Sequence, residues 1–299
     1  MTEAQIALVN TVLVPIGLAL IMFSLGLTLA LRDFALLGRN PKPVLAGLGG
    51  QLLLMPVLAL AIGILFRLPP ELALGIFILA ICPAGTTSNA LTFVGRGNVA
   101  LAVVLTALSS LVTVFTIPLL LSWALPHFMT AGEVPSLSVP KTMVQLIRIT
   151  VLPVAAGMVV HRFAPDLARK LSRWLRPTAL VVLVAVILFS VLISAEMVLD
   201  NLLKGGPAIW TLNIVATLAG LAIGKAIGAN ARDSMTLGIE VGVHNVTLAI
   251  FITLTVLDSL PLALTQNIYG VVMLFDAFLL IRWYRGPIAR EEKAEPAAK

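Results

Sequence analysis

Apolar runs of membrane-spanning length recur from one end of this chain to the other. They exceed the roughly 18 residues that mark a candidate transmembrane helix. The chain is also 59% apolar and only 11% charged, whereas a soluble domain is roughly 25% charged. These features predict an all-α polytopic membrane protein in which residues 1–290 form a single transmembrane domain. The net charge of +6 does not indicate nucleic-acid binding, because the basic residues lie beside the spans.

Nine spans are predicted, separated by segments rich in Pro, Gly and charged residues. Their approximate ranges are 5–30, 43–66, 71–95, 98–125, 140–163, 177–199, 207–229, 234–257 and 260–284. One of the predicted breaks is Gly205-Gly206-Pro207. The first run lacks the basic segment of a cleaved signal, so we expect it to remain as a helix. Residues 291–299 are predicted to be a disordered cytoplasmic tail.

The basic residues are distributed unequally between the two sides of this arrangement. Of the 20 Lys and Arg residues, only Arg67, Lys141 and Lys204 fall in loops on one side, and Arg148 lies within a span. The others fall on the opposite side. The positive-inside rule therefore predicts an external N-terminus and a cytoplasmic C-terminus. The expected location is a plasma membrane, the inner membrane of a bacterium.

The eighth span carries a carboxylate, an imidazole and a carboxamide within an apolar segment. These are Glu240, His244 and Asn245 in Gly-Ile-Glu-Val-Gly-Val-His-Asn-Val-Thr. A charge at that depth costs at least about 2.5 kcal/mol and is usually retained for work on ions or solutes. A polar group that merely bonds between helices is the structural alternative.

The third span contains a second interruption, Cys82-Pro83-Ala84-Gly85-Thr86-Thr87-Ser88-Asn89. Proline removes a backbone donor and glycine loosens a helix. Residues 5–125 and 140–284 therefore resemble inverted repeats of four and five helices, each with a broken helix before its last span. Paired broken helices indicate a transporter whose binding site lies near the bilayer midplane.

At these residues the chain resembles the bile acid:sodium symporter family. Further matching motifs are Ile21-Met22-Phe23-Ser24-Leu25-Gly26-Leu27-Thr28-Leu29, the Gln51…Met55-Pro56 pair and Gly95-Arg96-Gly97-Asn98. The resemblance covers nearly the whole chain. It implies a secondary transporter with a core domain, a panel domain and two broken helices that cross, in which sodium drives uptake of an organic anion by alternating access.

The resemblance also implies two sodium sites. The first would use Ser88, Asn89, Thr106 and Glu240, with Ala102 where the family has a hydroxyl. The second would use Gln51, Glu240, the carbonyls of Val241 and Val243, and His244 where the family has a carboxamide. Hard cations prefer oxygen ligands, so both departures weaken a site. We therefore expect altered coupling: one sodium, a proton in place of one, or no tight coupling.

The candidate substrate contacts are Thr86, Thr87 and Asn245, which lie where half-helix N-termini would face an anion. A bile acid-like compound and a small carboxylate both suit this prediction, and no cofactor other than sodium ions is expected.

The protein is predicted to act as a monomer. A sodium-independent or proton-coupled facilitator is the main alternative, ahead of a receptor or a membrane enzyme, since enzyme motifs are missing. Asp276 is expected to form an interfacial salt bridge near Arg282 and Arg285.

Overall fold

The computed structural model describes residues 9–129, 137–175, 181 and 195–294. Its main helices are α1 (Val14–Gly26), α2 (Pro41–Leu65), α3 (Pro70–Ala80), α4 (Thr86–Val94), α5 (Val99–Phe128), α6 (Val139–Phe163), α7 (Ala195–Ala226), α8 (Ala231–Gly242), α9 (Val246–Val256) and α10 (Leu260–Ala294). A 3₁₀ turn, Leu31–Phe34, and a short helix, Ala35–Arg39, follow α1. The described residues form no strand beyond one isolated antiparallel bridge between Ala84 and His244.

The prediction of an all-α polytopic membrane protein is confirmed. Five helices of the described part are long and apolar enough to cross a membrane: α2, α5, α6, the stretch of α7 from Leu202, and α10. A sixth candidate is α1 together with the short segment Leu31–Arg39, which bends by 76°. The predicted span 177–199 lies almost wholly outside the described residues. The count of nine spans and the inverted repeat therefore remain predictions.

Three π-helical turns each end two residues before a proline. Val9–Leu13 precedes Pro15, Gly50–Leu54 precedes Pro56, and Ile147–Val151 precedes Pro153. Proline has no N–H, and its ring clashes with the carbonyl four residues earlier, so the preceding turn widens. The middle turn contains Gln51, one of the predicted site residues.

Two predicted boundaries differ from the structure. Helix α7 continues through Gly205, Gly206 and Pro207, where a break between spans was expected. Glycine and proline are tolerated inside membrane helices, because a break would leave unbonded backbone groups in lipid. The last helix continues past Pro287 to Ala294. Residues 291–294 of the predicted tail are therefore helical.

Glycines allow two pairs of helices to approach each other so closely that their backbones are in contact. A Cβ atom on Gly26 of α1 would meet the Val154 backbone of α6, and one on Gly157 would meet the backbone of Phe23. In the same way, a Cβ on Gly220 of α7 would meet the carbonyl of Leu237 in α8. Small residues allow this approach, which is typical of membrane helix pairs. The second pair fixes α8, the helix that carries Glu240.

Candidate ion and substrate site

Glu240 lies fully buried in the last turn of α8, and three polar side chains contact its carboxylate. Ser88 Oγ donates to Oε1 at 2.5 Å. Thr106 Oγ1 and Gln51 Nε2 lie 3.2 and 3.3 Å from Oε2. These partners come from α4, α5 and α2, so four helices meet at one carboxylate. The structure thus brings together Gln51, Ser88, Thr106 and Glu240, all of which the sequence predicted as site residues.

We use the term oxygen cluster for Ser88, Asn89, Thr106 and Glu240. The two hydroxyl groups of this cluster can donate fewer hydrogen bonds than there are acceptor oxygens around them. Ser88 Oγ also lies 2.7 Å from the carbonyl of Gly85, and Thr106 Oγ1 lies 3.4 Å from Asn89 Oδ1. Each hydroxyl has one proton to donate, so each faces two acceptors with a single proton. An excess of oxygen lone pairs around a carboxylate is the chemistry of a hard-cation site.

The two interrupted helices contact each other at their breaks. The first break, Ile81–Gly85, separates α3 from α4, and the second, Val243–Asn245, separates α8 from α9. The backbone N–H of Asn245 donates to the carbonyl of Pro83 at 2.8 Å. Together with the bridge between Ala84 and His244, this bond places the hydroxyls that follow the first break against the carboxylate that precedes the second.

His244 lies in the second break with both ring nitrogens close to carbonyl oxygens. Nδ1 is 2.7 Å from the oxygen of Cys82, and Nε2 is 3.0 Å from that of Val241. The imidazole therefore lies against the Val241 carbonyl, which the family resemblance implies as a sodium ligand. A neutral imidazole has one N–H and donates to only one of the two carbonyls. Ala102, the other departure from the family pattern, is buried with no exposed surface and brings no oxygen to its position.

A small cavity lies beside the two breaks. Thr86, Thr87 and Asn245, the three predicted substrate residues, line it together with Ile21 and Met273. Its volume is about 10 Å³, room for roughly one water molecule. Asn245 is 5% exposed, and its Nδ2 has no hydrogen-bond partner among the described residues, whereas its Oδ1 caps α9 at Leu248 N. A residue that lines the cavity therefore carries a free donor suited to an acceptor such as a carboxylate oxygen.

Two polar residues that contact the second break were missed by the sequence reasoning. Asn213 Nδ2 of α7 and Tyr269 OH of α10 donate to the carbonyl of Gly242 at 2.7 and 2.8 Å. Both side chains are buried. A carboxamide isolated within the apolar span around Asn213 was the signal that could have indicated such a role.

The expected salt bridge of Asp276 is wrong. Its Oδ1 instead accepts a hydrogen bond from Trp210 Nε1 of α7 at 3.0 Å, because Asp276 is on the face of α10 that packs against α7. Within the described residues, no group of three or more His, Cys, Asp or Glu side chains could hold a metal ion. The oxygens that contact the Glu240 carboxylate therefore belong to the neutral side chains of Ser88 and Thr106.

The fold and the buried oxygen cluster define a multi-pass membrane protein built around broken helices. Residues 15–201 match the model of the sodium bile acid symporter family. An uncharacterized sodium-dependent transporter of Bacillus subtilis, YocS, is 30% identical over 78% of this chain and 70% of its own length. A probable sodium/metabolite cotransporter of Arabidopsis thaliana chloroplasts, BASS1, is 30% identical over 79% of this chain and 57% of its own length.

A more distant relative spans almost the whole chain. The rat sodium-dependent organic anion transporter is 28% identical over 97% of this chain and 78% of its own length. The chain belongs to the sodium bile acid symporter family, which is a family of transporters, and the resemblance seen in the sequence is thereby confirmed.

Proposed function

We propose that this protein is a secondary active transporter that couples the uptake of an organic anion to sodium. The observation that carries this proposal is the oxygen cluster around Glu240, a buried carboxylate surrounded by oxygens with too few protons. A buried charge without a counter-charge is costly. A bound sodium ion would supply that charge, and the names of the relatives as sodium-dependent transporters support the same ion.

The first sodium ion would bind within the oxygen cluster. Glu240 would supply the charge, and Ser88, Thr106 and Asn89 would supply neutral oxygens. These residues come from both broken helices and from α5. Binding would therefore join elements that must hold their relative positions when the transporter changes conformation. Occupancy of the site would couple ion binding to the alternating-access step.

The second predicted site, formed by Gln51, Glu240, Val241, Val243 and His244, has a different chemistry. Gln51 Nε2 donates to the carbonyl of Glu240 at 3.0 Å, and His244 Nε2 lies 3.0 Å from the carbonyl oxygen of Val241. An imidazole nitrogen is a poor ligand for a hard cation. The contacts of His244 thus favour one sodium ion per transport cycle rather than two.

The substrate would place an anionic group at Thr86, Thr87 and Asn245. The unpartnered Nδ2 of Asn245 would donate to it, and the N-termini of α4 and α9 begin at the same cavity. Helix N-termini stabilise negative charge. A carboxylate is the group that best fits these donors, whether on a bile acid-like compound or on a small organic acid.

Uptake by proteoliposomes tests this proposal directly. A labelled carboxylate identified by thermal-shift screening would be supplied with sodium outside, or with choline in its place. We expect accumulation above the external concentration only with sodium, and a Hill slope for sodium close to one. Accumulation that is the same in choline would contradict sodium coupling.

The alternative is a sodium-independent or proton-coupled facilitator. It is favoured by the missing oxygen at Ala102 and by the contacts of His244, which together weaken both predicted sites. The same assay repeated between about pH 5.5 and pH 8, where histidine titrates, separates the two functions. Uptake in choline that follows the pH gradient would indicate a proton, and uptake that never exceeds the external concentration would indicate a facilitator.

A further inference from the structure

The last four carbonyls of α8 all have identified partners, and those of the last three, Glu240 to Gly242, are satisfied by side chains rather than by the helical bond that ends at Val243. The carbonyl of Ile239 accepts from Val243 N at 2.7 Å. Those of Glu240 and Val241 contact Gln51 and His244. The carbonyl of Gly242 is different, because it accepts two side-chain hydrogen bonds, from Asn213 and from Tyr269.

Satisfying a buried carbonyl requires only one donor. Two donors that approach from different helices, α7 and α10, also fix the direction in which the carbonyl points. The Gly242 backbone is further confined by Thr217 of α7, whose hydroxyl a Cβ atom at this position would meet. The peptide unit between Gly242 and Val243 is therefore held by side chains of α7 and α10.

We propose that Asn213 and Tyr269 are positioning residues for ion binding: by holding the Gly242 carbonyl, they fix the end of α8 and with it the Glu240 carboxylate. This inference rests on the proposed sodium site. Neither side chain contacts the carboxylate in the described contacts, so both act through the backbone. Ion sites need ligands held to within about 0.5 Å, and Glu240 lies only two residues before the fixed carbonyl.

The contacts also explain why the two helices carry polar groups at these positions. Asn213 is 1% exposed and Tyr269 is fully buried. A polar side chain in an apolar span is costly unless it makes a bond that compensates for its burial. Both donate to the same carbonyl, that of the last residue of α8, while Asn213 Oδ1 has no hydrogen-bond partner among the described residues.

Sodium binding by the purified full-length protein, without substrate, tests the inference. The thermal midpoint would be followed against sodium at constant ionic strength, with choline as the replacement ion, since a bound ion raises the midpoint by mass action. Tyr269→Phe keeps the ring and removes one donor, and Asn213→Leu removes the other. Tyr284→Phe makes the same change at the second of the two tyrosines, farther along α10.

We expect the half-saturating sodium concentration to rise about threefold to tenfold for each single variant, the effect expected for one hydrogen bond. The double variant should raise the half-saturating sodium concentration further. Tyr284→Phe should leave that concentration within about twofold of the wild-type value. A merely structural role would lower the midpoint in choline and leave the half-saturating concentration unchanged, and that result would overturn the inference.

The outcomes separate this inference from the proposed function. If the wild-type midpoint does not respond to sodium, the sodium site itself is wrong and the positioning role is wrong with it. If the wild type responds and both Tyr269→Phe and Asn213→Leu respond equally, only the positioning role is wrong. If one variant does not fold, the other still decides the question, because each removes a separate donor.

Discussion

The two interruptions of the membrane helices differ in how they are built. The first, Ile81–Gly85, contains both Pro83 and Gly85, residues that end a helix by their own chemistry. The second, Val243–Asn245, contains neither proline nor glycine. Its first end is fixed by neighbouring helices, through the two donors on the Gly242 carbonyl. Its second end is set locally by the Asn245 side chain, which caps α9. The first break is thus encoded by its own residues, whereas the second combines a local cap with tertiary contacts.

The two breaks also contribute complementary chemistry. The first supplies the carbonyls of Cys82 and Pro83 and is followed by the Ser88 hydroxyl. The second supplies the donors that meet those carbonyls, and it begins three residues after the acid. Neither break forms a cation site alone. A site divided in this way is complete only while the two breaks hold their relative positions, which is the property that the proposed coupling uses.

The largest effect is expected at Glu240. Glu240→Gln keeps the shape of the side chain but removes the charge of the oxygen cluster. Its single amide oxygen can accept from only one of Ser88 and Thr106, because these bond different carboxylate oxygens. Sodium-driven uptake should fall on the order of 100-fold, because the number of charged ligands sets cation affinity over decades. Asp276→Asn removes a buried acid of another membrane helix, α10, whose Oδ1 is bonded to Trp210, and should retain uptake within about twofold.

Proteoliposome uptake and the thermal midpoint, measured together, decide this prediction. An equal loss in both variants would mean that charge in the membrane, rather than the oxygen cluster, limits transport. Undiminished uptake by a folded Glu240→Gln variant would remove the carboxylate from the mechanism altogether.

The difference between the breaks explains which parts of the molecule the sequence could predict. Pro83 and Gly85 indicated the first break directly, and an acid within an apolar span indicated Glu240. The partners of the Gly242 carbonyl, Asn213 and Tyr269, lie 29 and 27 residues from it in sequence, and no local pattern connects them. The sequence likewise could not predict that helix α7 continues through its Gly-Gly-Pro segment. The helical propensity of these residues is low, but a break would leave backbone groups unbonded in lipid.

The next effect concerns the number of sodium ions. His244→Gln would replace the imidazole on the carbonyls of Cys82 and Val241 with a carboxamide that brings an oxygen ligand. We expect the Hill slope for sodium to rise from about one toward two, because a second oxygen site becomes available. Uptake against sodium concentration measures the slope.

His161→Gln is the matched control for this substitution. His161 contacts the carbonyl of Leu27 at 2.8 Å, between α1 and α6 and away from the oxygen cluster. The Hill slope for sodium of the His161→Gln variant should stay at the wild-type value. A slope unchanged in His244→Gln, with wild-type sodium affinity, would show that the imidazole does not limit the number of ions bound.

The smallest effect is expected at Pro83, although proline is the most obvious helix-breaking residue of the first interruption. Pro83→Ala leaves the backbone carbonyl that accepts from Asn245 N, and the bridge between Ala84 and His244 needs no proline. Contacts from the second break should therefore keep the first one open, and uptake should change by at most about threefold. Pro118→Ala, made within the continuous helix α5, is the control for removing a membrane proline. Abolished uptake in a stable Pro83→Ala variant would mean that the first break depends on its own proline, and that the second break does not impose the geometry of the pair.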